Sequence, residues 1–336
     1  MPTKEIGDSF RSPRNDTMPI QISQDALLKL QLPYQEDCTL QRSSYTGGPG
    51  PKVGIVAGIH GDEIEGLYVC HRLAHWLEEL AKSRPDALLG RVELYPAMNT
   101  LGLDTLQRLV PVYDIDLNRN FPGDPKGVFP QRIAAAAMEA MAGSALVIDI
   151  HASNIYLREI PQVRINEEFQ RSLVPLAQKM NLDVIWLHGA MTVLEATIAH
   201  SLNASGVPCL VVEMGVGMRL TPEFTEQLVT GILHVWRDLG VLAQDLELPE
   251  LSHAPLLADG SNVHYLNADT SGLFVPAVNH WTSVSQGQML GRIVSPFQGG
   301  TLSEVRSPCN GILFTLREYP LVYEGSLMAR LMEVKP

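Results

Sequence analysis

Cysteine is scarce and scattered. The chain has 336 residues and four cysteines, Cys38, Cys70, Cys209 and Cys309, with no CxxC pair among them. That excludes a disulfide framework and fits unpaired thiols in a reducing compartment. Long apolar runs are also missing. No stretch of ~20 apolar residues occurs, so no membrane-spanning helix is expected. The opening MPTKEIGDSFRSPRNDT is polar and lacks the apolar centre of a signal peptide. The expectation is a soluble, cytoplasmic protein. Positive charge is in deficit, with 25 Lys and Arg against 37 Asp and Glu, a net −12 with histidine neutral. Nucleic acid and an anionic membrane surface are therefore not expected as main partners. A small anionic substrate stays open, because a basic pocket can sit inside an acidic protein.

Apolar residues make up 45% of the chain, ample for a core, and the length suits one large domain or two ordinary ones. From residue 52 the pattern alternates. KVGIVAGI, RVELYPAM, ALVIDIHA, LDVIWL and CLVVEMG read as strands. Helical spacing marks 63–82, 131–143, 167–180 and 221–240, the last with a threonine cap and a terminal glycine. Strand–helix alternation with fully apolar strands predicts a mainly parallel or mixed sheet flanked by helices. Near residue 241 the texture changes to short strand-like runs broken by turn residues, which predicts a small all-β module.

Ligands of open α/β sheets bind beyond the carboxyl ends of the strands. The first strand ends in His60, with Glu63 three residues on. Asn99 ends the next, His151 ends ALVIDIHAS, and Glu213 ends CLVVEMG. DIDLNRNFPG adds Asn118 and Arg119 on a loop leading to the same rim. Two imidazoles and a carboxylate make a donor set for Zn²⁺ that leaves one position for water. His60, Glu63 and His151 are the candidate ligands. Glu213 is then free as general base and later acid. Arg119 offers a planar fork for a carboxylate and Asn118 a neutral donor. Each residue also has a structural reading. A strand-end histidine is commonly a satisfied polar group, Glu213 could be salt-bridged, and DLNRNF could be a simple Asx turn. Asp62 and Asp149 could cap helices or orient a histidine. Gly58 and Gly61 would let the chain turn tightly between strand and helix.

In this order and at these spacings, GIHGDEIEG, DLNRNFPG, DIHAS and VVEMG resemble the succinylglutamate desuccinylase/aspartoacylase family, a branch of the zinc carboxypeptidase fold. The likeness spans about residues 50–336. It implies one Zn²⁺ per chain on His60, Glu63 and His151, a carboxylate clamp of Asn118 and Arg119, and Glu213 as acid/base. It also implies an arginine that polarises the scissile carbonyl, for which Arg108 is the nearest match. Arg164 and Arg219 are further candidates for anion contacts. The tail GRIVSPFQGGTLSEVRSPCNGILFTL resembles a lipoyl or biotinyl barrel-sandwich. Such carriers need a lysine, and none lies between Lys179 and Lys335, which excludes covalent carriage.

The expected architecture is a flexible arm over residues 1–18, a zinc-hydrolase α/β domain over 19–250, and a β-rich, barrel-sandwich-like domain over 251–336. The expected activity is zinc-dependent hydrolysis of the amide of an N-acyl amino acid or similar small substrate. A metallocarboxypeptidase of small peptides and a non-catalytic metal- or small-molecule-binding protein are the alternatives. Neither nucleic acid nor membrane is an expected partner, and a homo-oligomer stays open.

Overall fold

A computed structural model describes residues 19–34, 36–189 and 195–334. The expected arm at 1–18 lies outside the described residues. Four parallel strands form the centre of the large sheet: β3 (Lys52–Ala57), β4 (Arg91–Tyr95), β5 (Leu146–His151) and β8 (Cys209–Gly215), in the order β4-β3-β5-β8. A hairpin of β1 (Gln21–Gln31) and β2 (Asp37–Thr46) extends it antiparallel beyond β4. On the other side β6 (Leu157–Asn166) pairs antiparallel with β8. Among the described residues the sheet has thirteen strands and is mixed.

Both faces are covered, which is why the central strands are apolar throughout. On β3, Val53, Ile55 and Ala57 point to one face and Val56 to the other, as the two-residue period of a strand requires. The first face packs on α1 (Glu65–Ser83), α4 (Gln170–Ala177) and α6 (Pro222–Asp238) through residues such as Leu73, Leu173 and Ile232. The second packs on α3 (Phe129–Met141) and α5 (Ile198–Ala204) through Ile133, Ala137 and Leu202. Two helix starts differ from expectation. Thr221 is the N-cap of α6, but its side chain makes no cap hydrogen bond. Its backbone N–H instead donates to the buried Glu65. Asp62 does not cap α1, whose N-cap is Ile64.

The C-terminal strands form a β module and divide between two sheets. β10 (Val263–Asn267), β12 (Thr282–Val284), β15 (Gly311–Arg317) and β17 (Leu327–Glu333) join the large sheet. β11 (Gly272–Pro276), β13 (Met289–Val294), β14 (Thr301–Arg306) and β16 (Leu321–Val322) form a second, four-stranded sheet. The join is β15 against β6, with Thr315 opposite Glu159. Among the described residues, no helix is long and apolar enough to cross a membrane.

Candidate active site

The parallel register sets the ends of three strands side by side. Ala57 pairs with Ile150, and His151 pairs with Glu213. Just past β3, Gly58 takes φ +65, a conformation that favours glycine, and the chain turns. Gly61 serves differently: a Cβ there would lie 2.0 Å from the carbonyl carbon of Gly102. Close backbone approach, rather than dihedral freedom, demands glycine at 61. The turn delivers His60 and Glu63 to the rim, and the Glu63 N–H donates to the His60 carbonyl at 3.3 Å.

His60, Glu63 and His151 come together, all three buried, each with a ligand atom within 4.8 Å of the others. Glu63 lies between the imidazoles, with Oε1 2.8 Å from His60 Nδ1 and Oε2 2.8 Å from His151 Nδ1. The far nitrogens are held by acids. His60 Nε2 is 3.1 Å from Asp116 Oδ1, and His151 Nε2 is 2.9 Å from Asp149 Oδ2. A carboxylate there accepts from Nε2–H, which turns both Nδ1 atoms toward Glu63. Despite its 2.8 Å approach, His60 Nδ1 makes no hydrogen bond. Lone pair against carboxylate at that distance is repulsive unless a cation or a proton stands between them. His151 Nδ1 and Glu63 Oε2 are in hydrogen-bond contact at 2.8 Å, and two imidazole nitrogens and a carboxylate that converge this closely are suited to a divalent metal.

The local charges agree. Burial would lower the pKa of His60, but Glu63 and Asp116 outweigh it and raise the net value; His151 is raised well above the usual value by Asp149 and Glu63 against the same opposition. Glu63 is pushed down by both histidines in spite of its burial. Asp116, also partly buried, is lowered to about 2, chiefly by His60 and then by Arg108 and Arg119.

Arg108, Asn118, Arg119, Arg164 and Glu213 line one cleft of about 910 Å³ with these three. Arg108 Nη1 donates to Glu63 Oε1 at 2.6 Å, and Nη2 lies 3.7 Å from Asp116. The Asn118 amide accepts from the Ile198 N–H at 2.9 Å, while its Nδ2 stands 3.5 Å from His151 Nε2. Arg119 donates to the Asn118 carbonyl at 2.7 Å. Glu213 accepts from Arg164 Nη1 at 3.1 Å. Burial raises the Glu213 pKa, Arg164 and His151 oppose the rise, and Glu63 and Glu159 add to it. Arg219 is exposed and does not line the cleft. Asn99 is the N-cap of α2 (Thr100–Thr105), accepting from the Gly102 N–H, and does not line it either.

Sequence reasoning left three contributors unnamed. Asp116 was the second acid of DIDLN, and a histidine in need of an outer partner was the signal for it. Glu159 and Arg330 carried no signal, because they meet from positions 171 residues apart.

Fold and cluster together define a carboxypeptidase-like α/β scaffold with a buried His-Glu-His site able to hold a metal. A metallo-carboxypeptidase from Burkholderia cenocepacia shares that fold, with a TM-score of 0.50 and 16% identity, over 66% of this chain and 64% of its own. More specifically, residues 49–239 match the succinylglutamate desuccinylase/aspartoacylase catalytic domain, and the chain belongs to that hydrolase family. N-alpha-acetyl-L-2,4-diaminobutyric acid deacetylase of Halomonas elongata is 26% identical over 345 residues, covering 99% of this chain and 98% of the relative. The product-bound ectoine utilization protein EutE (DoeB) from Ruegeria pomeroyi superposes with a TM-score of 0.77 at 20% identity, covering 94% of this chain and 99% of that one.

Proposed function

We propose that the protein is a zinc-dependent amidohydrolase that removes the acyl group from an N-acyl amino acid. The observation that carries the reading is the convergence of Nδ1 of His60, Nδ1 of His151 and the Glu63 carboxylate beside a separate carboxyl, Glu213, with raised pKa. Zinc, held by these three residues, would acidify a water and polarise the amide carbonyl.

The chain's own groups do the rest. Glu213 takes the proton of the attacking water on a carboxylate oxygen and gives it to the leaving amine nitrogen. A carboxyl with raised pKa suits both roles near neutral pH. Arg108, beside the cluster and facing the cleft, directs its guanidinium at the oxygen where negative charge develops. Arg119 and the Asn118 amide receive the substrate carboxylate. Asp116 and Asp149 fix the imidazole tautomers so that Nδ1 stays free. Tyr265 and Arg330, from the C-terminal strands, wall the cleft, which favours a small acylated amino acid over a long peptide.

The test is a panel of N-acetyl, N-succinyl and N-formyl amino acids offered to zinc-loaded protein, with release of free amine as readout. The relative's action on an acetylated diamino acid puts acetylated substrates first. Cleavage of at least one acyl amino acid, and none of acylamines lacking the carboxylate, is expected. Cleavage of C-terminal residues from peptides with no deacylation would make the chain a carboxypeptidase instead. Bound zinc with no turnover of any amide would leave a binding protein.

A further inference from the structure

Glu159 is almost fully buried yet accepts four hydrogen bonds, two on each oxygen. Arg164 Nη2 at 3.1 Å and Arg330 Nη1 at 2.7 Å meet Oε1. Gln162 Nε2 at 2.7 Å and Thr315 Oγ1 at 2.6 Å meet Oε2. Burial would raise its pKa, but the two arginines and these hydrogen bonds hold it below the usual value, so the group stays charged. Arg164 and Arg330 stack on Trp186, with guanidinium carbons 5.1 and 5.2 Å from the ring centroid. Arg164 also reaches Glu213 Oε1 at 3.1 Å. Thr315 lies on β15 and Arg330 on β17, so two of the four donors come from the C-terminal module.

We infer that Glu159 and Arg330 are positioning residues for catalysis. They fix Arg164, and Arg164 fixes the Glu213 carboxyl, so the C-terminal module forms part of the catalytic apparatus. Glu159 and Glu213 compete for one guanidinium. Arg330 satisfies Glu159 enough that Arg164 can keep its second hand on Glu213. The stacking on Trp186 confines both guanidinium planes, so the division is geometric as well as electrostatic. A buried ion cluster that served stability alone would have no need to reach a cleft carboxyl.

The inference rests on the amidohydrolase reading, and its test separates the two. Arg330→Met keeps a stem over Trp186 but removes the charge and the fork. In the metal-loaded full-length variant, metal content should stay at the wild-type value. With the acyl amino acid that the wild type cleaves, kcat should fall about 10- to 100-fold while KM stays within about threefold. Arg330→Lys should recover part of the loss. A crystal structure of Arg330→Met should show Arg164 drawn to Glu159 and out of contact with Glu213. Thr315→Val, a near-isosteric change that removes one hydrogen bond, should lower kcat about three- to tenfold, and it covers the case in which Arg330→Met fails to fold. A lowered thermal midpoint with wild-type kcat would overturn the inference and leave a structural ion cluster. So would an unchanged Arg164–Glu213 contact in the variant crystal, a result that needs no substrate and so holds even if the wild type cleaves no amide.

Discussion

A histidine nitrogen without a partner is the most informative atom in this protein. His60 is buried, its Nε2 is tied to Asp116, and its Nδ1 faces a carboxylate without bonding it. His60→Ala or His151→Ala should each empty the metal site, because two protein ligands rarely hold a catalytic metal. Elemental analysis of the purified variants checks this, and a full metal equivalent in either would mean the ligands lie elsewhere. The histidines also set a pH dependence. Both have pKa values raised above 6.5, so in the metal-free protein their protonation stabilises the fold below about pH 6.5 and is lost as pH rises through the raised values. Metal must displace those protons, so its affinity climbs with pH. The metal-induced rise in thermal midpoint should therefore grow as pH increases from below 6.5 upward. A shift that shrinks or stays flat across that window would contradict the assignment.

Elements deliver these side chains, and the turn from β3 into α1 is the critical one. Gly61→Ala would drive a Cβ into the backbone of Gly102 at 2.0 Å, where nothing flexible can give way. The variant should lose about 1–3 kcal/mol of stability and bind metal more weakly, since the displaced turn carries His60 and Glu63. Denaturant titration and metal titration measure the two effects; unchanged values for both would show that the turn tolerates a methyl group.

The same scale explains what was legible in the sequence. β3, β5 and β8 announce themselves because most of their positions are apolar and buried on both faces, and a histidine or glutamate stands at or near the end of each run, His60 just past β3, His151 at the end of β5 and Glu213 near the end of β8. β6 escaped notice. LREIPQVRIN interrupts its apolar residues with Pro161, Glu159 and Gln162, yet most of it is buried. Its buried Glu159 takes hydrogen bonds from Thr315 of β15 and Arg330 of β17, more than 150 residues downstream, and no local pattern encodes that. The hairpin of β1 and β2 was equally silent, since most of β1 is exposed and shows no alternation. The expectation that Asp62 caps α1 or supports a ligand found no counterpart, for its Oδ1 has no partner and its backbone carbonyl is what accepts, from Met218.

At the scale of the whole molecule, an acidic protein of net charge −12 encloses a cleft into which Arg108, Arg119, Arg164 and Arg330 project. Arg164 and Arg330 are engaged by Glu159 and Glu213, so Arg119 is the charge proposed to meet a substrate carboxylate. Two ends of the sequence meet there: strand ends from the first two-thirds bring the donors proposed to hold the metal, and the C-terminal strands bring the wall and the brace on Glu159. The central claim is that this cleft hydrolyses an amide with Glu213 as the proton carrier. Glu213→Gln tests it most directly, because it keeps shape and hydrogen bonding but cannot take a proton. On one sample of the variant, metal content and kcat are measured together. The account predicts a full equivalent of metal, nearly unchanged substrate affinity, and a kcat lowered by ~10²–10⁴. Lost metal would make Glu213 a ligand, and retained metal with undiminished kcat would contradict the mechanism.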